Sequence, residues 1–190
     1  MNPRPTIYVF AGFSGAGKDT AASVLNAKVA KFASPGKKAL EFIYSLPAGT
    51  MDDRVARQQI APFSGGLTYL EVLIKLWRNR DLLFGDTLFG EQTKAEILGW
   101  LEYGLDVAVT DMRNHNELTV MMDIHELGYD VIPVWIDGGT MLESDVHQEE
   151  IYRRLCAFTG NAGVNIVNDY PTVETFIASV KLELSVLQCV

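Results

Sequence analysis

The residue types best suited to chemistry lie in a glycine-rich segment near the N-terminus, residues 12–20 (GFSGAGKDT). Glycines let backbone N–H groups close around phosphate oxygens, and the N-terminus of a following helix adds partial positive charge. Lys18 supplies a mobile full charge of the kind that binds the β- and γ-phosphates of a nucleoside triphosphate. The segment therefore predicts a phosphate-binding loop, and a glycine-rich turn without a ligand is the alternative.

Both flanks of the loop support this interpretation. The loop follows an apolar run over residues 6–11 (TIYVFA) that predicts a buried parallel strand, and it precedes a helix-forming stretch over residues 21–30. Asp19 is unusual because the common pattern has Ser or Thr directly after the lysine, whereas here Thr20 comes one place later. The residues expected to hold the triphosphate are Gly12, Ser14, Gly15, Ala16, Gly17, Lys18, Asp19 and Thr20.

A second group of reactive side chains follows another predicted strand, residues 105–110 (LDVAVT). The carboxyl ends of parallel strands face one crevice, so we expect this group to lie across from the loop. Asp111 could hold Mg²⁺ or accept a proton, Arg113 could clamp a second phosphate group, and Glu117 could pair with Arg113. The alternative is that the acid and the neighbouring asparagines cap a helix while Arg113 makes a surface ion pair.

Other charged side chains give weaker indications. Arg153 and Arg154 could reach a triphosphate from a lid, but acidic residues followed by basic ones are typical of a solvated helix face with i,i+4 pairs. His147 is more typical of a surface or capping histidine than of a catalyst. No role is assigned to His115 or His125.

The composition is that of an ordinary globular protein of 190 residues, 48% of them hydrophobic and 21% charged. A formal net charge of −8 argues against a general DNA- or RNA-binding protein, which needs a basic face. Cys156 and Cys189 are the only cysteines of the sequence, and neither shows metal-ligand spacing. We therefore expect no structural disulfide and a reducing compartment. No apolar run approaches the roughly 20 residues of a membrane span. We therefore expect a cytoplasmic protein with neither nucleic-acid nor membrane partners.

Strand and helix patterns alternate along the chain, which predicts one α/β domain with a parallel sheet covered by helices on both faces. Pro133 is expected to place its strand near an edge or bulge. We expect mobile substrate-binding or lid regions within about 45–100 and about 138–160. The predicted helices span about 37–44, 67–77, 92–103, 116–127, 141–157 and 172–187, and further strands span 129–136 and 164–167.

Four pieces of the chain, in order, resemble the phage deoxynucleoside monophosphate kinases, a branch of the phosphate-loop kinases. The Gly-Lys-Asp-Thr ending of residues 12–20 is characteristic of that branch, and residues 32–40 (FASPGKKAL) are similar to its small-Pro-x-Lys-x-Ala-Leu segment. Residues 110–117 (TDMRNHNE) match its strand-Asp-x-Arg-x-x-x-Glu pattern. Residues 145–150 with 164–169 resemble its His-x-x-Glu and its strand-Asn-Asp ending.

The resemblance implies a three-layer P-loop NTPase fold and Mg²⁺-dependent transfer of the ATP γ-phosphoryl group to a deoxynucleoside 5′-monophosphate. It implies the host cytoplasm for a phage-encoded chain, and a homodimer is one option for its assembly. The implied catalytic residues are Lys18, Asp111 and Arg113, and the implied metal-binding residues are Asp19, Thr20 and Asp111. The implied substrate-binding residues are Ser34, Lys37, Arg113, Glu117, Arg153 and Arg154.

Two departures from the family pattern leave other functions open. The connection before residue 67 is short for the family, and residues 136–138 (IDG) stand where relatives often carry Arg. One alternative is a phosphate-loop kinase for another small metabolite, such as dephospho-coenzyme A. Another is a nucleotide-binding switch or assembly protein, which the Asp111-x-Arg113 pattern disfavours because a switch needs no acceptor clamp.

Overall fold

The computed structural model describes residues 4–79, 87–142 and 145–187. The chain divides into two compact units. The first unit contains the residues up to Lys31 and those from Lys94 onward, and the second contains Phe32–Thr93.

The first unit is built on a parallel β-sheet. The described residues contain five strands: β1 (Thr6–Ala11), β2 (Lys28–Ala30), β3 (Val107–Val109), β4 (Asp130–Asp137) and β5 (Val164–Val167). Their spatial order is β2-β3-β1-β4-β5, and every neighbouring pair is parallel. The protein is therefore α/β, as the alternating sequence patterns predict.

Helices of the first unit flank this sheet, and the second unit has helices of its own. The helices in the described part of the chain are α1 (Lys18–Ala22), α2 (Ser34–Ile43), α3 (Tyr69–Arg78), α4 (Leu88–Glu102), α5 (His115–Glu126), α6 (Gln148–Thr159) and α7 (Val173–Leu187). Both α5 and α6 pack against β4, and α6 also packs against β1.

The core of the first unit follows from the alternation of side chains along β1. Tyr8 and Phe10 are buried in one cluster with residues of α1 and with Phe176 of α7. Ile7 and Val9 alternate with them and are fully buried as well. Burial of each such side chain contributes about 1.5–3 kcal/mol to the stability of the fold. β1 is thus a well-buried central strand, and the glycine-rich loop follows it directly.

The second unit is small and mainly helical. Leu40, Met51 and Leu73 belong to its buried cluster. Thr68 caps α3 through a reciprocal pair of hydrogen bonds with Glu71, as its Thr-x-x-Glu spacing favours. Two short 3-10 turns, Thr50–Asp52 and Ala56–Gln58, lie between α2 and α3.

The helix predicted over residues 21–30 is wrong in its length. It ends at Ala22, and residues 28–30 form the edge strand β2, in which Val29 pairs with Ala108. The alanines favour a helix, but parallel pairing with β3 outweighs that preference because it satisfies backbone groups beside a buried strand. The helix predicted over about 37–44 begins earlier, at Ser34.

Two further expectations need correction. Pro133 lies on β4, between β1 and β5, so its strand is not at an edge, and the register with β1 runs through the Val9–Pro133 pair without a break. Proline removes only one donor, and the long ladder on either side keeps the strand paired. The helix predicted over 141–157 begins only at Gln148, and residues 143–144 lie outside the described residues.

Candidate functional site

The sheet order brings the two reactive segments to one edge. β1 and β3 are parallel neighbours with Val9 opposite Val109, so the loop after Ala11 and the residues from Asp111 onward both follow the carboxyl ends of adjacent strands. The chain continues from β1 toward β2 and β3 on one side, and toward β4 and β5 on the other. Ligands bind parallel sheets at such a reversal of strand order. The expected juxtaposition of the two segments is confirmed.

The loop itself needs glycine at two points. Gly12 has φ of 140°, and a Cβ there would lie 2.4 Å from the Ile136 carbonyl oxygen. Gly17 has φ of 97°, and a Cβ there would lie 2.9 Å from Nδ2 of Asn168. Other residues would be strained and would collide at both positions. The glycine spacing is thus explained by backbone shape and by close packing.

Distant parts of the first unit hold the loop in place. The Thr140 N–H donates to the Ser14 carbonyl at 2.9 Å, and Asn168 Nδ2 donates to the Ala16 carbonyl at 2.8 Å. The Ser14 N–H donates to Oδ2 of Asp145 at 2.9 Å. A Cβ on Gly139 would lie 2.4 Å from the Ser14 carbonyl oxygen, so this position also requires glycine. The loop is therefore preorganised by contacts that span most of the sequence.

Lys18 folds back over the loop. Its Nζ donates to the carbonyl oxygens of Gly12 at 2.5 Å and Phe13 at 2.8 Å. Burial lowers the pKa of Lys18 and Arg113 lowers it further, while carboxylates including Asp145 oppose both effects. The ammonium group thus lies among the charged groups of both reactive segments.

Backbone donors accompany this lysine. The first intrahelical bond of α1 runs from the Ala21 N–H to the Gly17 carbonyl at 2.8 Å. The N–H groups of residues 18–20 come before it and have no acceptor within the helix. An ammonium group and a row of backbone donors suit the oxygens of a triphosphate.

Asp19 is held by two donors. Thr110 Oγ1 donates to its Oδ1 at 2.7 Å, and Lys31 Nζ lies 2.8 Å from the same oxygen. Burial alone would raise the pKa of Asp19, but the hydrogen bonds from Lys31 and Thr110 lower it below the ordinary value. Asp19 is therefore a carboxylate that joins α1 to the end of β3 and to Lys31.

Asp19, Thr20 and Asp111 are the residues predicted to bind magnesium, and this role stays a prediction. Thr20 lies on α1, and Asp111 comes two residues after the end of β3, where its charge raises the pKa of Lys18. Hydroxyl and carboxylate oxygens are the ligands that Mg²⁺ prefers. The donor set fits this ion, although Asp19 already shares one oxygen with a lysine.

Arg113 and Asp145 form an ion pair that the sequence did not indicate. Nη1 of Arg113 lies 3.5 Å from Oδ1 of Asp145, whose side chain is 1% exposed, whereas that of Arg113 is 43% exposed. Burial disfavours the charge on Asp145, but hydrogen bonds from the Ser14 and Leu142 N–H groups and the nearby guanidinium lower its pKa. Asp145 thus connects Arg113 to the glycine-rich loop.

Glu117 caps α5. Its Oε2 accepts hydrogen bonds from the N–H groups of Arg113 and Asn114, and the Asn114 side chain accepts from the Glu117 N–H at 3.0 Å. This capping box matches the alternative in which an asparagine caps the helix. Glu117 thus contacts the backbone N–H of Arg113, and its pairing with the Arg113 side chain and its binding of substrate stay predictions.

Gln148 ties the start of α6 to the same segment. Its Nε2 donates to the Met112 carbonyl at 2.8 Å, and its side chain is buried. Its Oε1 meets no hydrogen-bond donor among the described residues. The segment that carries Arg113 is therefore held from α6 as well as by its own helix cap.

The remaining predicted substrate-binding residues make other contacts. Arg153 Nη2 bonds Glu149 Oε1 at 2.5 Å on an exposed helix face, which is the i,i+4 alternative. Arg154 Nη1 lies 2.9 Å from Nδ1 of His115. In the second unit, Ser34 begins α2, and Lys37 Nζ bonds Asp52 Oδ1 at 2.7 Å. Their roles toward a substrate remain predictions.

Sequence reasoning missed Asp145 and Asn168 as loop-holding residues. Asp145 is 131 positions from Ser14, and Asn168 is 152 positions from Ala16. No local periodicity connects such pairs. One signal was available: Asn168 follows a predicted strand, so it had to lie at the carboxyl edge of the same sheet.

No helix within the described residues combines the length and the apolar character that crossing a membrane requires. Comparison of the chain with protein-family models and with curated protein sequences finds no match.

Proposed function

We propose that this protein is a Mg²⁺-dependent kinase that transfers the γ-phosphoryl group of ATP to a deoxynucleoside 5′-monophosphate. The observation that supports the proposal most directly is that two cationic side chains follow neighbouring strand ends at one edge of the sheet. Lys18 follows β1 and Arg113 follows β3, and Asp145 contacts both the loop and Arg113. One cation suits the donor phosphates and the other the acceptor phosphate, a need that a simple triphosphate-binding protein lacks.

The donor half is the loop with Lys18. In the proposed complex the Lys18 ammonium group leaves the Gly12 and Phe13 carbonyls and binds β- and γ-phosphate oxygens, and the backbone N–H groups of residues 18–20 add neutral donors. Charge neutralisation of this kind lowers the barrier because the transferring group spreads negative charge over its oxygens.

The acceptor half is centred on Arg113. A guanidinium group binds a phosphate with two parallel N–H donors and fixes its orientation. The ion pair with buried Asp145 restricts where this guanidinium can point, which favours in-line geometry for the attacking phosphate oxygen. Thr20 and Asp111 would hold Mg²⁺, which supplies charge neutralisation between donor phosphates.

The deoxynucleoside monophosphate as acceptor rests on the family resemblance. The Lys-Asp-Thr ending of the loop and the Asp111-x-Arg113 pattern belong to that branch of kinases. In this chain Asp19 stands where the common loop pattern has a hydroxyl residue, and its carboxylate binds Thr110 and Lys31. This contact explains why the loop carries the unusual aspartate of that branch.

The test measures ADP release with ATP, Mg²⁺ and each natural deoxynucleoside monophosphate. We expect at least one monophosphate to raise turnover by about ten-fold or more over ATP alone. Lys18→Ala should lower kcat by about 10²–10³-fold, whereas Lys181→Ala, a matched change at an exposed lysine of α7, should not.

Arg113→Ala separates the acceptor from the donor. It should raise the KM for monophosphate with less effect on ATP, and Arg4→Ala, an exposed arginine at the start of the first unit, serves as control. No ADP release with any monophosphate would overturn the proposal. Turnover with dephospho-coenzyme A alone would identify a kinase for another metabolite, and turnover indifferent to any acceptor would identify a switch.

A further inference from the structure

Two histidines and a glutamate meet where α5 and α6 begin. His115 is the first residue of α5, His147 immediately precedes α6, and Glu150 lies in the first turn of α6. One ligand atom from each lies within 4.8 Å of the other two. We propose that these residues form a binding site for a divalent transition-metal ion of the Zn²⁺ class, separate from the magnesium of phosphoryl transfer.

The donor types select this class of ion. Two imidazole nitrogens and a carboxylate oxygen are the protein ligands of open zinc sites, where water completes the coordination. Nitrogen donors are poor ligands for Mg²⁺ and Ca²⁺, which take oxygen. The cluster therefore discriminates between a transition metal and the ion that accompanies ATP.

The distances are close to those a metal requires. Nε2 of His115 lies 4.0 Å from Oε1 of Glu150, and Nδ1 of His147 lies 3.8 Å from Oε2. Ligands about 2.0–2.1 Å from a tetrahedral zinc are roughly 3.3 Å apart. The two histidine–glutamate pairs must therefore close by less than about 1 Å. No pair among the three ligand atoms exceeds 4.8 Å, so the two histidines must close by at most about 1.5 Å. The three side chains are 46%, 59% and 55% exposed, so they can rotate without disturbing the core.

A cationic side chain of the protein already contacts the cluster. Arg154 Nη1 lies 2.9 Å from Nδ1 of His115 and 3.9 Å from Oε1 of Glu150. Its guanidinium competes with a metal ion for Oε1 of Glu150 and adds a positive charge beside the His115 ring, and its 52% exposed side chain can turn into solvent. Removing this competing charge should tighten metal binding.

The backbone of both segments is fixed before any ion binds. Gln148, next to His147, bonds the Met112 carbonyl, and Asn114, next to His115, caps α5. A metal ion would link these two segments, which also carry Arg113 and Asp145. Bracing of the acceptor arginine by the ion rests on the proposed function, but the metal site itself does not.

The test titrates chelator-treated, tag-free protein with Co²⁺, monitored by visible absorption, and then displaces the ion with Zn²⁺. We expect one ion per chain. His115→Ala, His147→Ala and Glu150→Gln should each weaken binding by about ten-fold or more. His125→Ala is the matched control because His125, the one histidine of the sequence outside the cluster, contacts the Tyr129 carbonyl instead. A ten-fold excess of Mg²⁺ should not displace the ion.

Arg154→Gln should have the opposite effect on affinity. Because it removes the competing positive charge, it should tighten Co²⁺ binding by several-fold. Unfolding temperatures measured in chelator show whether each variant is folded. Wild-type affinity in all three ligand variants, or an absorption band of thiolate ligation, would overturn the site. Because no nucleotide is present, a metal-binding protein without kinase activity would refute only the proposed function.

Discussion

Asp145→Asn tests whether the buried carboxylate organises both halves of the candidate site. The change keeps the size of the side chain but removes its charge. Oδ2 accepts from the Ser14 N–H at 2.9 Å and the Leu142 N–H at 3.2 Å, and Oδ1 lies 3.5 Å from Arg113. Hydrogen bonds to a charged group contribute about 1.5–3 kcal/mol each. Because Asn can still accept one of them, we expect the free energy of unfolding to fall by about 2–4 kcal/mol.

The pH dependence of stability tests whether the charge of Asp145 is what stabilises the fold. The pKa of Asp145 is lowered in the folded protein, so its carboxylate stabilises the fold above the unfolded pKa of about 3.9. That contribution is lost as the pH falls through the lower folded value. The stability difference between wild type and Asp145→Asn should therefore be full at neutral pH and shrink in acid. Urea unfolding at a series of pH values measures it.

Enzyme kinetics give a second readout for the same variant. Asp145 contacts the loop through Ser14 and the acceptor side through Arg113, so Asp145→Asn should raise the KM for both substrates. Arg113→Ala should affect mainly the monophosphate. Wild-type stability at neutral pH, or a stability loss that stays constant into acid, would refute the assigned role of the carboxylate.

Two other contacts to the loop give further predictions. Gly139→Ala should abolish tight ATP binding in calorimetry, because its Cβ would press on the Ser14 carbonyl. Gly160 has a similar positive φ but open space around it. Gly160→Ala should therefore lower the free energy of unfolding by only about 1–2 kcal/mol and leave ATP binding intact. Equal ATP affinity in the two variants would contradict the packing argument. Asn168→Ala removes the bond to the Ala16 carbonyl and should lower stability by about 1 kcal/mol in urea unfolding, with weaker ATP binding. Unchanged nucleotide affinity would mean that the other contacts suffice.

The parts of the fold that sequence patterns predicted are those that local chemistry determines. The apolar run of β1 and the glycine spacing after it could be read directly, because each depends on neighbouring residues. The helix predicted over about 116–127 corresponds to α5, and Gly128 follows its end with φ of 89°. Val29 was assigned to a helix because its strand partner Ala108 lies far along the chain.

The same reasoning explains what could be predicted of the site. Lys18 and Arg113 were identified by type and by their place after strands, and the pairing of β1 with β3 confirms that they follow adjacent strand ends. Asp145 was not identified because it lies in the connection between β4 and α6, well beyond the strand end at Asp137. Only the folded chain shows that its carboxylate meets both Ser14 and Arg113.

The contacts that brace the glycine-rich loop have a consequence for how the protein is made. The loop is synthesised well before its partners Thr140, Asp145 and Asn168, and the last two lie 131 and 152 positions after the residues they contact. Contacts of such long range form late in folding. A nascent chain that has not yet extended past residue 168 therefore lacks the contacts that shape the glycine-rich loop. If the loop binds ATP as proposed, this affinity should arise only after residue 168 has been synthesised, so that shorter ribosome-bound fragments do not sequester ATP.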